Sequence, residues 1–79
     1  MSPTVFYDGP YRFFFFSREE SRMHVHVISA DGEAKYWMEP EIELARNHGL
    51  SAQHLKRIHE IIVARQGEIR NAWNDHFGS

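Results

Sequence analysis

The stretch His24-Val25-His26-Val27-Ile28-Ser29-Ala30-Asp31-Gly32-Glu33-Ala34-Lys35-Tyr36-Trp37 decides the fold. Two β-prone runs flank Asp31-Gly32, and Asp-Gly between such runs is a strong signal for a two-residue hairpin turn. With Asp31 and Gly32 as the turn, Ala30 pairs with Glu33, Ile28 with Lys35, His26 with Trp37 and His24 with Glu39. Side chains alternate across a strand, and cross-strand partners share a face. One face therefore carries His24, His26, Ile28, Lys35, Trp37 and Glu39. The other carries Val25, Val27, Ala34, Tyr36 and Met38 and reads as core. The first reads as a surface that touches a ligand or a partner.

On the N-terminal side, Thr4 to Tyr7 is a short β-prone run and Asp8-Gly9 a second turn signal. Tyr11-Arg12-Phe13-Phe14-Phe15-Phe16 then suits a central strand, and Pro10 sits where a strand begins. Alternation places two of these four phenylalanines on each face. A sheet covered on one side leaves the second pair to be covered by the Ser17–Arg22 connection, the N-terminus or another subunit. On the C-terminal side, Glu39-Pro40 ends ladder pairing. Glu41-Ile42-Glu43-Leu44-Ala45 alternates and suggests a fifth, edge strand, with a helical turn as the competing reading. Asn47-His48-Gly49 reads as a turn, with Gly49 suited to a left-handed conformation.

Ser51 has the character of a helix N-cap. Leu55, Ile58, Ile62, Ile69 and Trp73 recur at helical spacing, flanked by Ile61, Ala72 and Phe77. This is one apolar stripe on a helix from about Ala52 to about His76. Gly67 interrupts it at a cost of roughly 1 kcal/mol, which marks a place for a kink or break. Gly78 stands where a C-cap glycine would. The expected architecture is α+β: a four- or five-stranded, mostly antiparallel sheet over about residues 4–45, with one long C-terminal helix packed on one face. The reading is of a single domain over residues 1–79.

The chain has 79 residues and no cysteine. A core this small needs good packing or oligomerisation, because no disulfide or thiolate–zinc staple is available. Aromatic residues, 14% of the chain, supply much burial per residue. The absence of cysteine, of a signal peptide and of an apolar run of membrane length leads to the expectation of a cytoplasmic protein without membrane association. The net charge of −2 gives no global positive field, so nucleic acid is a weakly indicated partner.

Three chemistries compete for the His24/His26 face. Two histidines at i and i+2 on a strand lie about 7 Å apart and can converge on one ion. A catalytic zinc needs three protein ligands, however, and Trp37 rather than a ligand stands opposite His26. No metal site and no cofactor is expected. Acid–base catalysis is the second: His24 and His26 as base and acid, Lys35 or Arg12 holding a phosphate, Trp37 stacking on a base. Protein binding is the third and needs the fewest assumptions. A face bearing Arg12, His24, His26, Lys35, Trp37 and Glu39 beside exposed phenylalanines is aromatic and amphipathic, as interaction surfaces are. Trp73 and Phe77, at i and i+4, are assigned to the core. Lys56, Arg57 and Arg70, diluted by Glu60 and Glu68, are assigned to a solvated helix face.

Tyr11-Arg12-Phe13-Phe14-Phe15-Phe16-Ser17, His24-Val25-His26-Val27, Ala34-Lys35-Tyr36-Trp37-Met38-Glu39-Pro40, Leu44-Ala45-Arg46-Asn47-His48-Gly49-Leu50-Ser51 and Trp73-Asn74-Asp75-His76-Phe77 occur in this order. Together they resemble a bacterial domain-of-unknown-function family, number 4160, from about Pro3 to Phe77. The family pattern has prolines before the first histidine, where this chain has Arg22-Met23. The resemblance implies a small component of a mobile-element or toxin–antitoxin-type gene pair, often beside another small domain, and carries over no catalytic mechanism. Inhibitors of bacterial defence complexes, such as anti-CRISPR proteins, are an analogy among small mobile-element proteins.

The expectation is a small protein-interaction module of a toxin–antitoxin-like or phage and mobile-element defence system, more a binding protein than an enzyme. Its partner would be a cognate small protein, a defence complex or a second copy of the chain. One alternative is a ribonuclease-type toxin using His24 and His26 with Lys35. Another is an anti-CRISPR-type inhibitor that blocks a nucleic-acid-guided defence complex.

Overall fold

A computed structural model describes residues 3–16 and 21–78. Five strands come first: β1 (Thr4–Asp8), β2 (Tyr11–Phe14), β3 (His24–Ser29), β4 (Gly32–Trp37) and β5 (Glu43–His48). Two helices follow, α1 (Ala52–Ala64) and α2 (Gln66–Phe77). The strands form one antiparallel sheet in the order β1-β2-β3-β4-β5. The α+β class is as expected, and the fifth strand is present at the sheet edge.

The central hairpin forms with a register two residues away from the expected one. Ser29 pairs with Gly32, His26 with Lys35 and His24 with Trp37, so Ala30 and Asp31 make the turn. Neither Trp37 opposite His26 nor Glu39 opposite His24 survives. The physical reason lies in β5. A Cβ on Gly32 would collide with the His48 carbonyl, and one on Gly49 would come 2.8 Å from the Asp31 carbonyl oxygen. Gly32 is thus required by close approach of the neighbouring chain rather than by the turn, and it serves as the first strand residue. A shift of two residues preserves side-chain parity. The division into two faces therefore stands although every cross-strand partner changes, except that His24, at the end of the sheet, is fully buried.

The edge strand also moves along the chain. It runs to His48, so the expected turn at Asn47-His48-Gly49 begins later. Asn47 closes that reversal, its Nδ2 donating to the Leu50 carbonyl and its Oδ1 accepting from the Leu50 N–H. Gly49 takes the left-handed conformation at φ +89°. Lys35 pairs with Arg46 but Tyr36 with Leu44, which leaves Ala45 as a bulge.

The C-terminal segment is two helices, not one. Ser51 caps α1: its Oγ accepts from the His54 N–H at 3.1 Å, and its own N–H donates to His54 Nδ1 at 3.3 Å. The break falls at Arg65, two residues before the glycine suspected of causing it. Arg65 leaves the helical conformation (φ −115°, ψ 23°). Its guanidinium meets both Glu68 oxygens at 3.0 Å and Asp8 of β1 at 3.4 Å, and lies 3.5 Å from the Phe6 ring centre. A cation with partners on β1 and α2 outweighs continuation of the helix.

Both helices pack on one side of the sheet. Phe13, Phe15, Val25, Val27, Tyr36 and Met38 from the sheet meet Ile58, Ile61, Ile62, Ile69 and Trp73 from the helices, all buried. Trp73 packs on Phe77 in a tilted arrangement at 4.3 Å and edges Phe15 at 5.3 Å, closing the core as the i, i+4 spacing predicts. Tyr36 crosses the layers, its hydroxyl donating to the Leu55 carbonyl at 3.1 Å. No helix among the described residues is long and apolar enough to cross a membrane.

Candidate functional site on the open sheet face

Sheet pairing lines up the second face in rows. Phe14 pairs with His26, His26 with Lys35 and Lys35 with Arg46, one continuous row across four strands. Directly opposed side chains stand roughly 4.5–5.5 Å apart at Cβ, so this row is a contiguous surface. A second row runs Arg12, Ile28, Glu33 and His48. A third, at the far end, pairs His24 with Trp37 and Trp37 with Glu43.

Between the first two rows lies a cavity of about 120 Å³. Phe14, Phe16 and His26 form one wall, Lys35, Arg46 and His48 the other, and Glu33 adds a carboxylate. The aromatic wall is built of rings in contact. Phe14 stacks on His26 at 5.5 Å, and Phe16 edges both His26 at 4.5 Å and Phe14 at 5.3 Å. Arg12 lies 4.6 Å over the Phe14 ring and donates to Thr4 Oγ1 at 2.8 Å. Phe14 is thereby buried, whereas Phe16 remains 48% exposed. The two-and-two division of the phenylalanines is thus observed. The expected cover from Ser17–Arg22 falls, for residues 17–20, outside the described residues.

Four of the six expected binding residues, Arg12, His26, Lys35 and Trp37, stand on this open face. Trp37 is not a bare anchor. The Arg22 guanidinium and the Lys35 ammonium lie 4.1 and 4.4 Å from its ring centre, at distances that favour cation–π attraction. His24 is fully buried. Its Nδ1 donates to the Arg22 carbonyl at 2.6 Å, and its ring sits against His26 at 5.1 Å, Trp37 at 5.6 Å and Trp73 at 5.2 Å. It ties the sheet end to α2 and does not share a ligand surface with His26. Glu39 lies beyond β4, exposed, and its carbonyl accepts from Arg22 Nε at 2.9 Å. Among the described residues no three His, Asp or Glu side chains gather as a metal-binding group.

Arg46, His48, Glu33, Phe14 and Phe16 belong to the cavity but were not among the expected site residues. For Arg46 and His48 a signal existed: they stand at i and i+2, as strand residues sharing a face do. Reading Asn47-His48-Gly49 as a turn concealed it, and the bulge at Ala45 breaks the alternation that would have extended the strand.

The family model that matches this chain is described as "Domain of unknown function (DUF4160)" and covers residues 11–74. No curated protein and no solved structure matches the chain.

Proposed function

We propose that this chain, which belongs to the domain of unknown function 4160 family, is a small protein-interaction module that works through its open sheet face. We place it in a toxin–antitoxin-like or phage and mobile-element defence setting, with a cognate small protein as partner. One observation carries the reading: both helices cover the same side of the sheet, and large apolar side chains remain exposed on the other. Tyr7, Phe16 and Ile28 stand on that face at 69%, 48% and 37% exposure. Apolar groups framed by cations and histidines make an amphipathic surface of the kind that partners cover. A ribonuclease built on His24 and His26 fits this geometry less well, because His24 is closed off from any ligand.

Co-expression with the product of the adjacent gene tests the proposal. Ile28→Glu places a charge in the middle of the open face, and Val63→Glu does the same on the exposed side of α1. Association lost in the first and kept in the second, at equal melting temperatures, is the expected result. Equal association in both variants would remove the sheet face from consideration.

A further inference from the structure

We propose that the cavity on the open sheet face is a nucleotide site, in which Lys35, Arg46, His26 and His48 receive a phosphate and Phe16 stacks on the attached base. The inference rests on the open face being the working surface and goes beyond a protein partner as its occupant. Three strands deliver four nitrogen-bearing side chains to one cavity of about 120 Å³. An arginine fork and a lysine ammonium together suit phosphate oxygens, the Lys35 ammonium reaching them by leaving its place 4.4 Å from the Trp37 ring centre, and imidazole N–H groups add donors. Among the described residues, Glu33 is the one carboxylate on the wall. Lys35 and Arg46 are the cationic side chains that the described residues bring to this wall. Local collection of positive charge in a concave site is what concentrates an anion there.

The aromatic wall separates a nucleotide from a simple anion. Phe14 is buried and supports the wall, while Phe16 presents a half-exposed ring next to His26. A phosphate held between β3, β4 and β5 leaves its base over β2, where that ring lies. An acidic peptide would use the same cations but has no flat group to set against Phe16. The chemistry is shared by a free nucleotide and by a single-stranded nucleic acid, whose bases can reach a stacking platform.

Fluorescence anisotropy with a labelled six-nucleotide single-stranded RNA, on the full chain at low and raised salt, tests the site. Adenosine monophosphate, single-stranded DNA and an oligoglutamate peptide serve as competitors. Arg46 is exposed on an edge strand, so Arg46→Gln is expected to leave thermal unfolding unchanged. It should weaken strand binding about tenfold and reduce the salt slope by about 0.7. Phe16→Ala should weaken binding about tenfold through lost stacking. Competition by the mononucleotide at the concentration needed for the strands identifies a free nucleotide as the ligand, and much tighter strand binding identifies a nucleic acid; either upholds the site. Three results would overturn it: no binding of RNA or mononucleotide at low salt, binding indifferent to Arg46→Gln, or displacement by oligoglutamate with no effect of Phe16→Ala. Partner association that survives while nucleotide binding is absent would remove this inference alone and leave the interaction module standing.

Discussion

Tyr36 shows how one residue links the layers and makes stability depend on pH. Its ring is buried under the helices and its hydroxyl donates to the Leu55 carbonyl. Burial raises the phenol above its ordinary value of 10.0, because the phenolate would have to form away from water. A pKa higher in the folded than in the unfolded chain adds stability that is complete below the unfolded value. That stability is lost as pH rises through the folded one. Chemical denaturation followed from pH 8 upward should therefore show unfolding becoming easier above about pH 10. Tyr36→Phe should lower stability by about 1 kcal/mol at neutral pH through the lost hydrogen bond. It should also flatten the alkaline fall, and an unchanged alkaline slope would mean another group sets it. Trp37 makes the complementary case on the open face. Because it packs against Arg22, Lys35 and His24, Trp37→Ala should cost about 2 kcal/mol, roughly half the loss at a fully buried tryptophan. A urea midpoint equal to the parent's would show that these contacts hold nothing together.

Among the elements, the break between α1 and α2 has a named cause that can be removed. Arg65→Ala deletes contacts to Asp8, Glu68 and the Phe6 ring. These groups are about a third to a half exposed, so the screened pairs and the ring contact together should be worth about 1 kcal/mol. In a domain of this size that is a fall in melting temperature of about 4–8 °C. The difference from the parent should shrink in high salt, and a salt-independent loss would assign the effect to packing on Phe6 alone. The same break explains what the sequence could and could not disclose. The apolar stripe from Leu55 to Trp73 is periodic, so the buried side of the segment was legible from spacing. Gly67 marked an interruption of this stretch, but its place at Arg65 was not legible, because it depends on Asp8, far away in the chain, and no local rule marks Arg65. The hairpin was legible for the opposite reason: parity tolerates a two-residue error, so Val25, Val27 and Tyr36 went to the core despite wrong partners. The candidate site was legible only in part. Its β2, β3 and β4 members follow from alternation, but Arg46 and His48 required the true end of β5. That end is fixed by the contact of Gly32 and Gly49, a tertiary fact written as two ordinary glycines.

At the scale of the molecule, one sheet separates a side that holds the fold from a side that remains available to a ligand, and four consecutive phenylalanines sample both. Phe13 and Phe15 point under the helices and are buried, whereas Phe14 and Phe16 belong to the open face. If this division governs the energetics, identical substitutions a few residues apart should differ widely. Phe13 touches the Phe6 ring at 4.7 Å and pairs with Val27, and it is completely buried. Phe13→Ala leaves a cavity in the only apolar core that the described residues form, a loss of roughly 3–5 kcal/mol. Small domains are stable by roughly 5–15 kcal/mol, and this one has neither disulfide nor large core in reserve. The variant should therefore be partly unfolded at room temperature or melt far below the parent. Phe16→Ala removes a half-exposed ring and should change stability by about 1 kcal/mol or less. Urea titrations read through the fluorescence of buried Trp73 would rank the two. Comparable losses would mean that the open face is itself a second core, and a surface needed for folding would be a poor candidate for one kept ready for a partner.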